Sequence, residues 1–79
     1  MAPRPVRRIP ATARRRLGEL IRDRRAALGL SQQAVAKQLG TDAGSLSRIE
    51  TGKREPSLYQ ITRLSEILGV QPSRLLSVA

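Results

Sequence analysis

Four glycines, Gly29, Gly40, Gly52 and Gly69, partition this chain, and each stands where an apolar pattern of helical period runs out. Helices commonly end at a residue that turns left-handed, a conformation glycine adopts without a Cβ clash. The segments they close also carry start signals. Ser31 is a suitable N-cap for a helix over Gln32–Leu39, whose inward face is Val35, Ala36 and Leu39. Thr41 or Asp42 caps a third helix burying Leu46 and Ile49. Ser57, with Gln60 at the third helical position, forms a capping-box pattern ahead of the stripe Leu58, Ile61, Leu64 and Leu68. Upstream, Leu17, Leu20, Ile21 and Leu28 share one helix face; Thr12 is the available N-cap there, although arginines in a first turn oppose the helix dipole. Pro72 suits the first turn of a short fifth helix carrying Leu75 and Leu76. No run alternates with strand period. Period and punctuation together predict an all-α fold, a compact bundle of about five short helices.

The 79 residues fit one domain, and a chain this short buries only about 60% of its unfolded surface. With one aromatic residue, Tyr59, its core has to be aliphatic. There is no cysteine and no histidine, which excludes disulfides, a thiolate zinc site and the commonest general base. A P-loop is absent, because Gly52-Lys53 is followed by Arg54 and Gly44 lies too far back. Asp42, Glu50 and Glu55 show no spacing suited to acid–base chemistry. The sequence therefore implies no enzyme, no cofactor and no metal. No apolar run approaches the ~20 residues that span a bilayer, and the N-terminus lacks the apolar stretch of a secretory signal, so the cytoplasm is the expected location.

The formal net charge is +9, and it is uneven. Residues 1–16 hold Arg4, Arg7, Arg8, Arg14, Arg15 and Arg16 with no acid, leaving +3 for the remainder. Residues 1–13, with Pro3, Pro5 and Pro10, are expected to form a disordered basic arm, and residues 14–79 the folded domain. Such an arm binds polyanions, lies on a protein partner, or is a solvated tail.

The second and third helices meet at Gly40-Thr41 with almost no linker. Neither buries much alone, so they form a helix-turn-helix, with Ala36 small because the helices approach closely there. From about Leu17 to Leu76, in LIRDRRAALGLSQQAVAKQLG, LSRIETGKREPSL and LSEILGV, the chain resembles the Cro- and phage-repressor-type (XRE-type) helix-turn-helix proteins. The resemblance implies a lambda-repressor-like DNA-binding domain, double-stranded DNA as partner, transcriptional regulation (repression before activation) on the nucleoid, and a homodimer, at least on DNA. It also addresses an oddity of Glu50, an acid in the last turn of a helix, where cations are favoured. In the family an arginine late in the first helix pairs with a glutamate at this position; Arg25 and Glu50 match. The other reading is a solvated Glu50 beside Lys53 and Arg54.

The third helix would lie in the major groove. With Leu46 and Ile49 inward, Ala43, Gly44, Ser47 and Arg48 are the candidate base-contacting residues, Arg48 being suited to guanine O6 and N7. A phosphate contact or a solvated position is the alternative for Arg48. Ala43 and Gly44 stand where the family often carries glutamine or another long polar side chain. Either the helix approaches the DNA closely there, or its first turn is frayed. Phosphate anchoring falls to Gln32, which matches a family phosphate contact, and to Thr51, Lys53, Arg54 and Ser57, with exposed amides in the 51–54 loop; a solvated turn is the alternative for Lys53 and Arg54. Leu75, Leu76 and Val78 are candidates for a self-complementary patch, unless they only close the core. An antitoxin-like interaction module that regulates itself through DNA, or a nonspecific DNA-coating protein, are the competing functions.

Overall fold

A computed structural model describes residues 9–77. Five helices follow one another: α1 (Ala11–Ala27), α2 (Gln32–Leu39), α3 (Ala43–Glu50), α4 (Leu58–Leu68) and α5 (Pro72–Leu76). There is no strand among the described residues, and no described helix is long and apolar enough to cross a membrane. All four expected terminators adopt positive φ. One continuous aliphatic core joins Leu17 and Ile21 of α1, Val35, Ala36 and Leu39 of α2, Leu46 and Ile49 of α3, Ile61, Leu64 and Leu68 of α4, and Leu75 of α5.

Helix starts follow the predicted caps. Ser31 Oγ accepts from Ala34 N–H at 3.0 Å, and both arms of the Ser57–Gln60 capping box are formed. Asp42, not Thr41, caps α3: its Oδ1 accepts from Ser45 N–H at 2.7 Å. Helix α1 begins at Ala11, inside the stretch expected to be arm, with Pro10 rather than Thr12 at the N-cap. Proline is no obstacle there, since its fixed φ fits the −58° observed and an N-cap needs no helical N–H. The earlier start also moves Arg14, Arg15 and Arg16 beyond the first turn, so the expected conflict with the dipole does not arise. The rest of the predicted arm, residues 1–8, lies outside the described residues, as does Val78.

Two stripe positions, Leu28 and Leu58, depart from expectation. Leu58, in the first turn of α4, is 71% exposed. Leu28 closes α1 at the C-cap and is exposed, and Leu76 is half exposed while its neighbour Leu75 completes the core.

Helix α1 meets the end of α3 at unusually short range. A β-carbon on Gly18 would overlap the carbonyl oxygen of Glu50 and come within 2.5 Å of that of Ile49. One at Gly52, where φ is +76°, would lie 2.9 Å from the backbone nitrogen and Cα of Arg15. Two glycines therefore let the C-terminal end of α3 rest directly on the α1 backbone. Arginines bind the remaining elements together. Arg14 Nε donates to Gly52 O at 3.1 Å, Arg24 Nε to Leu68 O at 2.9 Å, and Arg63 Nη2 to Gln38 O at 3.1 Å. The last two satisfy carbonyls in final helical turns, which lack partners and carry the negative end of the dipole.

Candidate nucleic-acid interface

The turn between α2 and α3 is closed by backbone bonds from Gly40 N–H to Lys37 O and from Thr41 N–H to Ala36 O, with Ala36 buried at the joint. Leu46 and Ile49 fix the inward face of α3. Its outward face carries Gly44 and Arg48, both exposed, with Ala43 and Ser47 half-buried beside them. The four predicted base-contacting positions thus share one accessible helix surface. Ser45, which the sequence does not single out, is buried, and its hydroxyl accepts from Arg54 Nη1 at 3.3 Å.

Arg25 and Glu50 are paired. Arg25 Nε donates to Glu50 Oε2 at 2.6 Å and Nη2 to Oε1 at 3.1 Å, a two-toothed contact. The Glu50 side chain is only 2% exposed and that of Arg25 15%. The hydrogen bond to Glu50 is the main reason the guanidinium is held above its ordinary pKa; burial opposes the shift, and the carboxylate charge adds to it. Arg25 Nη1 also donates to Leu30 O at 2.8 Å, which ties in the turn before α2. The solvated alternative for Glu50 is excluded.

Gln32, half-buried, donates from Nε2 to Glu50 Oε1 at 2.9 Å. The predicted phosphate contact is thus also the third member of the Arg25–Glu50 cluster. Its neighbours in sequence give no sign of this, because the partner lies 18 residues away.

The 51–54 loop differs from expectation in one respect. Its amides are not free: Thr51 N–H donates to Ser47 O, Gly52 N–H to Ile49 O, and Lys53 and Arg54 N–H both to Arg48 O. They finish α3 instead, as orphan carbonyls at a helix end require. The Thr51 hydroxyl likewise donates to Ser47 O at 2.9 Å. Lys53 and Arg54 remain as exposed cationic side chains. Ser57 is exposed, its hydroxyl engaged by Gln60 N–H. The clustering of arginines in the sequence overstates the free basic surface, since Arg14, Arg24, Arg25 and Arg63 are engaged with carbonyls or carboxylates of the fold.

The N-cap has a consequence for pH dependence. The Asp42 carboxyl lies below its ordinary value of 3.8, first because it accepts the Ser45 backbone N–H, then through the Ser45 side chain and the charges of Arg48 and Arg54, against some desolvation. A depressed folded pKa contributes stability that is present above the unfolded value and lost as pH falls through the folded one. Denaturant midpoints should therefore decline in acid partly through Asp42, and Asp42→Asn should flatten that part of the profile. An unchanged profile would show that the cap does not titrate with folding.

A family model described as a helix-turn-helix domain matches residues 16–77. The chain is 42% identical over 59 residues to YonR, an HTH-type transcriptional regulator derived from the SPbeta prophage of Bacillus subtilis; the match covers 75% of this chain, which spans 55% of that relative's length. Among solved structures, the restriction-modification controller protein C.AhdI of Aeromonas hydrophila superposes with a TM-score of 0.76 at 32% identity, covering 82% of this chain and 94% of its own. The P22 c2 repressor, solved in complex with a synthetic operator, gives 0.74 at 33% identity, with 80% and 96% coverage. By the extent of the family match, the order of its helices and these neighbours, the chain belongs to the helix-turn-helix family of Cro and phage-repressor type.

Proposed function

We propose that this protein is a sequence-specific double-stranded DNA-binding transcriptional regulator, acting as a repressor and as a homodimer on DNA in the cytoplasm. In this reading α3 lies in the major groove, Ala43, Gly44, Ser47 and Arg48 face base edges, and Gln32, Thr51, Lys53, Arg54 and Ser57 lie along phosphates. The observation that carries it is the one-sided mounting of α3. Its C-terminal end is fixed by Gly18, Gly52 and the Arg25–Glu50 pair, while Gly44 and Arg48 stay exposed. A recognition helix needs this combination, because a base contact made by a loosely held rod loses its specificity to disorder. The curated relative is named a transcriptional regulator and the P22 neighbour is complexed with an operator, which supports the same reading. A homodimer would place two copies of α3 about 34 Å apart on a symmetric site. Exposed Leu76 on α5 is available for self-association, whereas Leu75 is taken up by the core.

The test is a titration of the protein on selected and random duplexes across salt concentrations. A specific regulator should prefer the selected site by more than about 10³-fold. If about five phosphates are neutralised, log K should fall with log salt at a slope near −4.5. Arg48→Ala should relax discrimination at one or two base pairs by roughly 1–3 kcal/mol while leaving the salt slope nearly intact. Equal affinity for selected and random DNA would contradict the proposal.

A further inference from the structure

Gly44 is the least expected residue on the exposed face of α3, since glycine is a poor helix former. The turn is not frayed there: Asp42 Oδ1 holds Ser45 N–H at 2.7 Å and Leu46 N–H bonds Asp42 O at 3.2 Å. The reason for glycine is found in what surrounds it. Helical side chains lean toward the N-terminus, so a residue four positions on passes over this site. Arg48 does so. A β-carbon on Gly44 would have as its three nearest neighbours Asp42 Oδ1 at 3.2 Å, Arg48 Nη1 at 3.7 Å and Arg48 Nη2 at 4.0 Å. The carboxylate and the guanidinium thus border the same small space, the one a side chain at position 44 would fill.

The two partners are unequal. Asp42 is pinned by its bond to the helix N-terminus, whereas Arg48 stands on a long, exposed stem that makes no side-chain hydrogen bond among the described residues. A fixed carboxylate beside a cation on a long stem biases the cation's position. Arginine carries much rotamer freedom, and restricting it in advance lowers the ordering cost of a contact.

We propose that Asp42 is a positioning residue for base recognition, drawing the Arg48 guanidinium back across the first turn of α3 so that its fork meets a guanine edge, and that Gly44 leaves this space open, because a side chain longer than a methyl group there would lie between the two. This inference rests on the DNA-binding reading above. It explains the departure from a long polar residue at position 44: specificity has moved from that position to a carboxylate–arginine couple spanning it. The hydrogen-bonded first turn excludes fraying, and the couple stands beside close approach to DNA as a cause of the glycine.

The test selects preferred sites from a random duplex pool with the wild type, Arg48→Ala, Asp42→Asn and Gly44→Gln. Asparagine caps helices as well as aspartate, so Asp42→Asn keeps the N-cap while removing the charge. Gly44→Gln leaves both partners in place but fills the gap between them, and it serves if the first variant folds poorly. The wild type should enrich a guanine at one position of each half-site, and Arg48→Ala should abolish that enrichment. Asp42→Asn and Gly44→Gln should each weaken it roughly tenfold at the same position; Asp42→Asn should leave the rest of the site unchanged, whereas the new amide of Gly44→Gln is free to add a preference of its own. Wild-type guanine preference in both variants would overturn the positioning role and leave the DNA-binding reading standing. In Asp42→Asn, a changed preference at a neighbouring base pair alone would also overturn it, because Asp42 would then be reading a base itself. Failure of the wild type to enrich any sequence would overturn both proposals together.

Discussion

Replacing Gly18 by alanine is expected to lower the melting temperature by roughly 10 °C, against the usual direction of this substitution. Alanine in a helix interior is ordinarily better than glycine by about 0.5–1 kcal/mol. Here the added carbon would have nowhere to go, because the atoms it meets are the carbonyl oxygens of Ile49 and Glu50. These are backbone atoms at the end of α3 and cannot rotate aside like a flexible side chain. Relief requires α1 and α3 to move apart, which loosens Leu17, Ile21 and Ile49 in the core and pulls Arg25 from Glu50. Overpacking costs about 1–3 kcal/mol and occasionally more, and each kcal/mol shifts a domain of this size by ~4–8 °C. Thermal unfolding followed by circular dichroism measures the effect. A stabilised Gly18→Ala variant would mean that the two helices do not touch as described.

The second large effect concerns the buried pair, and its asymmetry is the informative part. Arg25→Ala leaves a Glu50 carboxylate, with a side chain 2% exposed, holding only the Gln32 amide. Glu50→Ala leaves Arg25 with the Leu30 carbonyl and a more accessible guanidinium. Removing one partner of a buried pair costs about 3–5 kcal/mol, largely through the charge left behind. Arg25→Ala should therefore be the more damaging, near the top of that range, and Glu50→Ala should fall at or below its lower end. Replacing both together by Met and Leu should recover most of the loss, since apolar groups of similar volume are often as stable as a buried ion pair. Denaturant midpoints for the two single variants and the double one decide this. A greater loss in Glu50→Ala than in Arg25→Ala would contradict it.

Much of the fold is legible in the sequence because helix ends are local chemistry. Ser31 and Ser57 cap their own first turns, and Gly40 and Gly69 need only their own φ to stop a helix, so α2 and α4 fall where the residues place them. Close approach between distant segments leaves no such local mark. Gly18 reads as a mild defect in α1 until the carbonyls of α3, more than thirty positions on, are set against it. The start of α1 is obscured by Pro10, which suits an N-cap as well as a linker. Arginine count likewise does not reveal use: Arg24 and Arg63 close the ends of α4 and α2, and Arg14 joins α1 to the loop after α3. On the candidate interface, the exposure of Gly44 and Arg48 follows from the helical period once Leu46 and Ile49 are placed inward. The dual engagement of Gln32 and the folding of Arg48 over Gly44 depend on side-chain conformation and appear only in three dimensions.

The proposal that the outward face of α3 reads base edges in the major groove is tested most directly by methylation interference on a selected duplex. Guanine N7 lies in the major groove and adenine N3 in the minor groove, so one reagent probes both. Methylation of guanine N7 at the Arg48-dependent position should block binding, and Arg48→Ala should lose that sensitivity. Interference confined to adenine N3, or none at any guanine of the bound site, would contradict placement of α3 in the major groove.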